Sequence, residues 1–489
     1  MKKFLLLYFL LILNLVISQN FQVTSSITTS TSGSSLNQII ADIITYSNVD
    51  FPIIKPATLH INESVSLDDD LIIPEYISLK FYNGSLIDFS THDLTINCSI
   101  DAGAFQIFKG TTGTVTGNPI IEQALPHWWK NINSTNIYWS DAIQKAVDFY
   151  PKVFFPKLNT EGTNTNVNLH AYHIQTPIIL DLNKPHFLYG VGSESQFSTY
   201  YSNLDDYIFK CDNIPANFNL GLVFENLEFR CNYGIALNGG EPVNENFTQE
   251  DNIILRAKIS NCYFKNQESI DGQIAILLKK TFNSEVSNNR IEGYNVGILL
   301  QGSDLNHIHD NKISRFKKYA ICDLAYNNFG SQNLISHNDL LYFTGEYSDF
   351  GSFIKSNSRH IVIRDNYMEN NNFSNHKLFA YVDCSKVGLP EESNYADLSK
   401  NIDITGNRCD VISNDCTENI YFITERFKSL NLIEIPNLND NYTNGSSFGK
   451  DSYNYEPIDH ILIKIQYSPE WDKVINMVNC ESFKNWDNF

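Results

Sequence analysis

The sequence predicts an all-β solenoid, a parallel β-helix, from three observations between residues 220 and 410. Seven segments, from "VFENLEF" to "DITGNRC", align so that one apolar column forms, and a second apolar column follows five residues on. The five later segments place an asparagine between the two columns. Each unit carries a further apolar strand, as in "VGILLQGS", with no amphipathic helix between strands. Repeats of 20 to 50 residues are typical of solenoids, whose units bury their apolar faces on one another.

The aligned columns predict two buried sheet faces and one polar ladder. The first apolar column is Phe224, Ile259, Val286, Ile308, Ile335, Ile363 and Ile404. The second is Phe229, Phe264, Ile291, Ile313, Leu340, Met368 and Cys409. The asparagine column is Asn289, Asn311, Asn338, Asn366 and Asn407. Asparagine tolerates a left-handed bend, and its amide can bond the same amide one coil away, so we expect a structural ladder at such a bend.

The first eighteen residues, "MKKFLLLYFLLILNLVIS", predict a signal peptide with cleavage after Ser18. Two lysines precede a short apolar run that ends in small or β-branched residues. The alternative is a membrane anchor, but the run is short and no stop-transfer pattern follows. No later segment is apolar and long enough to span a bilayer. The mature chain is therefore expected to be secreted and to have no transmembrane segment.

Two further features fit export. N-glycosylation sequons behind a signal peptide are expected to carry glycans, and they lie at Asn62, Asn83, Asn97, Asn133, Asn246, Asn372, Asn441 and Asn444. The chain has nine cysteines, so in an oxidising compartment at least one is left free or intermolecular. The neighbours Cys409 and Cys416, and the pair Cys211 and Cys231, are the candidates for disulfides.

The rest of the chain is divided by composition and pattern. Short alternating strands begin near Leu59, and the asparagine column ends near residue 415. The predicted segments are a signal peptide (1–18), a flexible Ser/Thr-rich arm (19–58), strands of the first coils (59–125), a Trp-rich junction with a capping helix (126–158), the parallel β-helix (159–415) and closing strands or a cap (416–489).

The junction "PHWWKNINSTNIYWSDAIQKAV" holds Trp128, Trp129 and Trp139, three of the five tryptophans. We interpret the first two as a plug over the open end of a stacked apolar core and Trp139 as a staple at the helix entry. A sugar-binding ring is the alternative. Ser140 or Asp141 is the predicted N-cap. The expected apolar face of the helix is Ala142, Ile143, Ala146 and Val147.

These motifs resemble the pectate-lyase-like superfamily, in particular its secreted and tailspike-like branch. The matching text is "LTINCSIDAGAFQIF", "PHWW", "DAIQKAV" and "VFFP", in the order and rough spacing of that branch, and with the coils it covers about residues 60 to 415. The usual Gly-Asp-Gly stretch is replaced by "KNINSTNIYWS", and about a dozen residues are inserted after "VFFP". The resemblance implies a right-handed parallel β-helix with an N-terminal capping helix, and a protein that binds or processes extracellular polysaccharide.

Two chemistries follow from the resemblance. Hydrolases of the family place acidic residues on adjacent coils, but their Asn-Thr-Asp, Gly-His-Gly and Arg-Ile-Lys motifs are absent on successive coils here. Lyases neutralise a uronate carboxylate with Ca²⁺ and arginine. The weak catalytic candidates of that kind are Asp304, Asp310, Arg364 and Asp365. Asp310 and Asp365 are expected two coils apart, too far to share one ion, and solvated turns are the alternative.

The motif "HIHD" raises a metal hypothesis, because His307 and His309 point to one side of a strand. We favour an ordinary exposed strand face, since the sequence supplies no third ligand. No cofactor is expected to be required, with Ca²⁺ as an option.

The formal net charge of −20 argues against nucleic acid and against docking on anionic membranes. It also disfavours an anionic polysaccharide unless cations or local basic patches intervene. The expected partner is an extracellular polysaccharide. The competing hypothesis, of a different class, is a non-catalytic structural or adhesive protein at the cell surface, for which acidic charge and glycans act as a solubilising coat.

Overall fold

The computed structural model of the chain describes residues 27–28, 35–48, 56–132, 135–158, 170–200, 202, 204–211, 219–239, 253–266, 273–325, 330–344, 351–356, 358, 360–370, 379–384, 403–405, 407–411, 419–425, 442–443, 446–447, 460–466 and 475–479. The chain divides into two compact units, the amino-terminal unit of residues 1–135 and the carboxy-terminal unit of residues 136–489. The predicted signal peptide lies outside the described residues.

The amino-terminal unit contains helix α1 (Leu36–Asn48) and short coils of parallel strands. Its first sheet pairs Ile27–Thr28, Ala57–Ile61, Ile77–Phe81 and Ile100–Asp101. Its second sheet pairs Val65–Ser66, Ile87–Ser90 and Phe108–Gly110, and its third pairs Leu71–Ile73, Leu94–Ile96 and Val115–Thr116. Because each coil adds one strand to each sheet, the apolar residues of successive coils stack into one core.

Helix α1 corrects the prediction of a flexible arm over residues 19–58. Ser35 Oγ accepts a hydrogen bond from the backbone N–H of Gln38 at 3.3 Å, as a capping side chain does. Four buried residues have the spacing of one helix face: Leu36, Ile39, Ile40 and Ile43. The first described strand after the helix begins at Ala57. The apolar segment "IIADIITY" that follows the Ser/Thr-rich stretch is part of this helix.

The first two tryptophans of the junction close the last coil of the amino-terminal unit. They lie in a 3₁₀ helix, Pro126–Trp129, and their rings pack on Phe108 with centroids 6.4 Å and 5.2 Å away. Trp128 is buried, and its Nε1 donates to the carbonyl of Gly103 at 3.1 Å. Within this unit the pair covers the end of the aromatic core, as a plug does.

The carboxy-terminal unit is a parallel β-helix built on three long sheets and one short one. The nine described strands of sheet A are Lys152–Phe155, His186–Gly190, Leu222–Glu225, Lys258–Ser260, Glu285–Ser287, His307–His309, Leu334–Ser336, Val362–Arg364 and Asp403–Thr405. The described strands of sheet B are Ala171–His173, Gln196–Ser198, Glu228–Arg230, Tyr263–Lys265, Arg290–Glu292, Lys312–Ser314, Asp339–Leu341, Tyr367–Asn370, Arg408–Val411, Tyr442–Thr443 and Ser446–Ser447.

Sheet C and a short sheet D complete each coil. The described strands of sheet C are Ile178–Ile179, Phe209–Lys210, Ile235–Asn238, Ile274–Lys279, Val296–Gln301, Tyr319–Leu324, Gly351–Ser356, Phe379–Cys384, Asn419–Glu425, His460–Gln466 and Ile475–Asn479. Sheet D pairs Asn219–Leu220, Ile254–Leu255 and Thr281–Phe282. Pairing is parallel until the last strands of sheets B and C, which pair antiparallel. The predicted fold class, an all-β right-handed parallel β-helix, is confirmed.

Strand register confirms both apolar columns. The first column runs along sheet A, where Ile308 pairs with Val286 and Ile335, and the second runs along sheet B, where Phe229 pairs with Phe264. The rings of Phe229 and Phe264 stack with centroids 4.6 Å apart and an interplanar angle of 4°. Identical positions of successive coils therefore meet inside the β-helix, as a solenoid requires.

The asparagine ladder is confirmed, but its backbone conformation is not the one expected. Asn289 Nδ2 donates to Asn311 Oδ1 at 3.0 Å, and the same bond repeats down to Asn407. The left-handed residue lies one position earlier in each coil. These positive-φ residues are Asn288, Asp310, His337 and Asp365, which precede Asn289, Asn311, Asn338 and Asn366. The bend and the ladder therefore use neighbouring residues, since the ladder amide must point inward while the left-handed residue faces solvent.

Helix α2 (Ser140–Phe149) opens the carboxy-terminal unit, and its predicted N-cap is wrong. Trp139 is the N-cap residue and makes no side-chain cap bond. Ser140 Oγ instead accepts the backbone N–H of Gln175 at 2.8 Å, so it is not available as a cap. Trp139 packs on Tyr172 with ring centroids 4.9 Å apart. The predicted apolar face is buried: Ala142, Ile143, Ala146 and Val147.

The proposed disulfide between Cys211 and Cys231 is wrong, because each is an unoxidised thiol buried in the core. Cys231 Sγ instead lies 3.7 Å from the hydroxyl of Tyr294, and burial raises the pKa of this thiol to about 12. Closeness in sequence does not bring these two cysteines together, since they end strands of different sheets. The Cys409–Cys416 pairing stays a prediction, because Cys416 lies outside the described residues.

Candidate functional site

The outer face of sheet A carries a group of titratable side chains that point away from the core. In each strand the apolar residue points inward, so the residues on either side of it point outward. The register pairs Glu285 with His307, and His309 with Ser336, while Ser336 pairs with Arg364. We name Glu285, His307, His309, Ser336 and Arg364 the histidine cluster. It spans four successive coils.

The two histidine rings form the centre of the cluster. Their centroids are 3.9 Å apart and their planes differ by 29°, so the rings stack face to face. His309 Nδ1 lies 2.6 Å from Asp310 Oδ2, and its Nε2 faces Glu285 Oε1 at 3.6 Å. Two carboxylates therefore hold the His309 ring from opposite edges and keep it against His307.

His307 is suited to accept a proton. Its Nε2 lies 2.9 Å from Ser336 Oγ. Burial lowers the pKa of His307, and the charges of His309 and Arg364 lower it further, while Glu285 and Asp310 act in the opposite direction. A histidine whose pKa is below its usual value of 6.5 is neutral at neutral pH, and a neutral imidazole can act as a general base.

Glu285 is held as a carboxylate. Burial on its own raises the pKa of this group, but the hydrogen bond from Ser287 Oγ at 2.5 Å and the charges of Lys258 and His309 outweigh burial and keep the pKa below its usual value. Lys258 Nζ lies 3.5 Å from Glu285 Oε1. Glu285 is therefore an anion at neutral pH, and it cannot serve there as a proton-donating carboxylic acid.

The sequence candidates Asp310, Arg364 and Asp365 lie at this face but do not converge. Asp310 and Asp365 both occupy the left-handed turn after their strands, two coils apart. Asp310 contacts His309, whereas Asp365 Oδ2 lies 3.7 Å from His337 Nε2 and 3.9 Å from Arg364 Nε. These two carboxylates do not fit a shared Ca²⁺ site, because each has a different histidine neighbour and a coil separates them.

Asp304 lies away from the cluster. It is buried at a bridge position that extends sheet D, where it pairs with Phe282 and Ser331. Its Oδ1 accepts hydrogen bonds from the backbone N–H groups of Gly330, at 2.8 Å, and Ser331. The carboxylate therefore caps a turn of the β-helix and faces backbone rather than solvent.

The two rings of "HIHD" lie on one side of the strand, as the metal hypothesis expects. They contact each other, and His309 also contacts the carboxylates of Glu285 and Asp310. Within the described residues, one group of three has ligand atoms that all lie within 4.8 Å of one another, namely Asp69, Asp70 and His92 of the amino-terminal unit. Asp69 and Asp70 are exposed, and backbone amides occupy part of their hydrogen-bonding capacity.

Sequence reasoning missed Glu285 and Ser336 as neighbours of the histidines. The signal was present in the alignment, because the residues that flank the first apolar column must share one outward face. Glu285 precedes Val286 as His307 precedes Ile308. The apolar column predicts the core, whereas its polar flanks predict which side chains share the outer face.

Comparison with known proteins finds likeness in three-dimensional structure. No protein-family model matches the chain, and no curated protein matches its sequence. The periplasmic alginate epimerase AlgG is 12% identical with a TM-score of 0.30, and the match covers 80% of this chain and 76% of the epimerase. The enzymatically active domain of tailspike protein 2 of bacteriophage CBA120 is 12% identical with a TM-score of 0.36, and the match covers 69% of this chain and 54% of the tailspike.

The tailspike protein of E. coli bacteriophage HK620, solved in complex with a pentasaccharide, is 9% identical with a TM-score of 0.28. The match covers 79% of this chain and 60% of the tailspike. The chain thus matches little more than half the length of either tailspike. Among the described residues, no helix is both long and apolar enough to cross a membrane.

Proposed function

We propose that the protein is a secreted glycoprotein that binds an extracellular, uronate-containing polysaccharide along the outer face of sheet A and removes a proton from it with His307. The observation that carries this proposal is the stacked His307–His309 pair, with Glu285 on one side and Arg364 on the other. The predicted signal peptide supports export, and the sequons Asn62 and Asn83 are exposed, as glycan attachment requires.

The chemistry follows from the protonation states of the cluster. Neutral His307 takes the proton on the carbon beside the uronate carboxylate, and Arg364 pairs with that carboxylate and stabilises the charge that develops. The electron pair of the broken C–H bond forms a carbon–carbon double bond as the neighbouring C–O bond breaks. The leaving oxygen takes a proton from solvent. The product is an unsaturated sugar end, which defines a lyase.

Hydrolysis fits the structure less well than elimination. A glycoside hydrolase needs a carboxylic acid that is still protonated at working pH, in reach of the glycosidic oxygen. Among the described carboxyl groups with a shifted pKa, only that of Asp323 is raised, and Asp323 is enclosed in the core. Glu285, which does face the cluster, has a lowered pKa.

A cationic side chain is accessible to a ligand at this face although the chain as a whole is acidic. The net charge of −20 repels a polyanion, and Lys258 on the outer face of sheet A is paired with Glu285 at 3.5 Å, but Arg364 lies on the same face in the outward column of His309. Arg364 is half-exposed and contacts Asp365 only at 3.9 Å, so a ligand carboxylate can compete for it. A uronate polymer can therefore bind there despite the overall charge.

The test is an assay of the purified chain on alginate, polygalacturonate, hyaluronan and neutral mannan, with and without Ca²⁺. Unsaturated products, reducing ends and deuterium uptake from D₂O are measured together. We expect unsaturated product from a uronate polymer, reduced about 100-fold or more in His307→Asn. His337→Asn is the matched control, because His337 is an exposed histidine one coil on, at a left-handed position that asparagine tolerates.

Three results would contradict the proposal. Reducing ends without unsaturated product would show hydrolysis. Equal turnover by His307→Asn and His337→Asn would exclude His307 as the base. Binding without turnover or deuterium uptake would favour the adhesive alternative.

A further inference from the structure

The outer face of sheet A begins with an aromatic patch that the histidine cluster does not use. In the first two strands the alternation turns Lys152, Phe154, Phe187 and Tyr189 outward, while their neighbours are buried. Phenylalanine is normally placed in the core, and here two of them face away from it. We name these four residues the aromatic platform.

The platform is an ordered stack of side chains. Phe154 pairs with Tyr189 in the register, and their ring centroids are 5.1 Å apart with an interplanar angle of 38°. Lys152 Nζ lies over the Tyr189 ring, 5.3 Å from its centroid. Phe187 pairs with Lys152 in the register and is 41% exposed. Ring surface and a cation are therefore presented together.

The register makes the platform continuous with the histidine cluster. One outward column of sheet A runs through Lys152, Phe187, Val223, Lys258, Glu285 and His307. The other runs through Phe154, Tyr189, Glu225, Ser260, Ser287 and His309. Four strand spacings separate Tyr189 from His309, a distance of about 19 Å. An extended oligosaccharide of several units spans that distance.

From this geometry we infer that the aromatic platform is a distal subsite for the same polysaccharide, which lies along the axis of the coils with its reacting unit at His307. The inference rests on the proposed function. Ring faces pack on the apolar C–H faces of sugars, and flanking polar groups bond the hydroxyls. Lys152 at one edge and Glu225 on the next coil supply such groups. The mixture of rings with charges fits a sugar chain better than a purely apolar protein or lipid partner.

The test compares the binding and turnover of uronate polymers with those of their disaccharides. Alginate and polygalacturonate polymers and their disaccharides are given to the full-length chain and to Tyr189→Ser, Phe187→Ser and Tyr189→Phe. We expect the KM for the polymer to rise about tenfold in the two serine variants, and the Kd measured in the His307→Asn background to rise equally. Both constants should change little for the disaccharide, because it cannot reach both sites. Tyr189→Phe keeps the ring and should keep the affinity.

Tyr200→Ser is the matched control, since Tyr200 is a 66% exposed aromatic residue that follows a strand of sheet B. Thermal unfolding of each variant shows that it is folded. If Tyr189→Ser leaves the polymer affinity unchanged while His307→Asn still loses turnover, the proposed function stands and the subsite is overturned. If Tyr189→Ser loses polymer affinity but the wild type shows no turnover, the subsite is supported and proton abstraction is overturned. A wild type that neither binds nor converts any probe overturns both.

Discussion

At the scale of single residues, the ladder asparagines use their amides completely. Asn338 Nδ2 donates to Asn366 Oδ1 and to the carbonyl of Ile308, each at 2.9 Å. Its Oδ1 accepts from both the backbone N–H and the Nδ2 of Asn311 at 3.0 Å. The side chain is fully buried, so no water replaces these partners if the amide is removed.

We therefore expect Asn338→Ala to lower the free energy of unfolding by about 2 to 4 kcal/mol, because it leaves several buried polar groups without partners. Urea denaturation of the full chain measures this loss. Asn288→Gly is the control, since Asn288 is exposed, has φ of 56° and lies outside the ladder. It should change the free energy of unfolding by less than about 0.5 kcal/mol. Equal losses in both variants would contradict a special role for the ladder.

A buried carboxyl group inside sheet C gives a second prediction. Asp323 replaces leucine in an inward column, between Leu300 and Ser356. Burial raises the pKa of Asp323 to about 7, although hydrogen bonds from Asn333 at 3.0 Å and Ser356 at 3.3 Å act against burial, and the nearby Asp304 charge adds to it. The folded chain thus keeps a proton that the unfolded chain loses near pH 4.

The sign of the pH effect follows from this difference in protonation. Between about pH 4 and pH 7 the folded state binds more protons than the unfolded state, so Asp323 makes stability fall as pH rises, and the penalty persists above pH 7. Asp323→Asn should leave stability near pH 4 almost unchanged and raise it at pH 8, by on the order of 4 kcal/mol. Urea denaturation at both pH values tests this. A gain of equal size at both would contradict it.

At the scale of elements, the turn after each sheet A strand explains why aspartate, asparagine and histidine recur there. Residues with short polar side chains adopt a left-handed conformation more easily than branched ones. Asp310, His337 and Asp365 all have φ between 54° and 56°. Their residue types are thus accounted for by the turn, whether or not the side chains also serve a ligand.

Substitutions at Asp365 distinguish the effect of the left-handed turn on stability from the effect of the carboxylate charge. Asp365→Val should lower the free energy of unfolding by about 1 to 2 kcal/mol, because a β-branched residue is strained at positive φ, whereas Asp365→Asn should be nearly neutral. Calorimetric unfolding of the two variants gives the comparison. If the asparagine variant lost as much stability as the valine variant, the contacts of the carboxylate with His337 and Arg364 would be the cause instead.

At the scale of the whole molecule, the features that repeat from coil to coil could be predicted from the sequence, whereas elements that occur once could not. The apolar columns and the ladder could be found because stacking forces the same residue type into the same position of every coil. Helix α1 was missed although Leu36, Ile39, Ile40 and Ile43 have helical spacing, because one short element has no repeat to support it. The left-handed residue was placed one position too late, since adjacent asparagines such as Asn288 and Asn289 cannot be distinguished by pattern.

The candidate site was predicted less completely than the fold. The four candidates have charge in common, and only their register shows that Arg364 belongs to the histidine cluster, that Asp310 borders it and that Asp304 caps a turn. The partners of His307 come from neighbouring coils, 22 and 29 residues away at Glu285 and Ser336. Such contacts depend on the exact length of each coil, which varies along this chain.

The most direct test of the account is the pH dependence of kcat/KM on the uronate polymer that the chain converts. The groups that face His307 are His309, Glu285, Asp310 and Arg364. Burial, together with the charges of His309 and Arg364, lowers the pKa of His307 below 6.5. A general base works only when it is unprotonated, so kcat/KM should rise with pH to a plateau, with a midpoint below 6.5 that disappears in His307→Asn and stays in His337→Asn. Activity that is highest in acid and falls through this range, or a midpoint that survives in His307→Asn, would contradict the central claim.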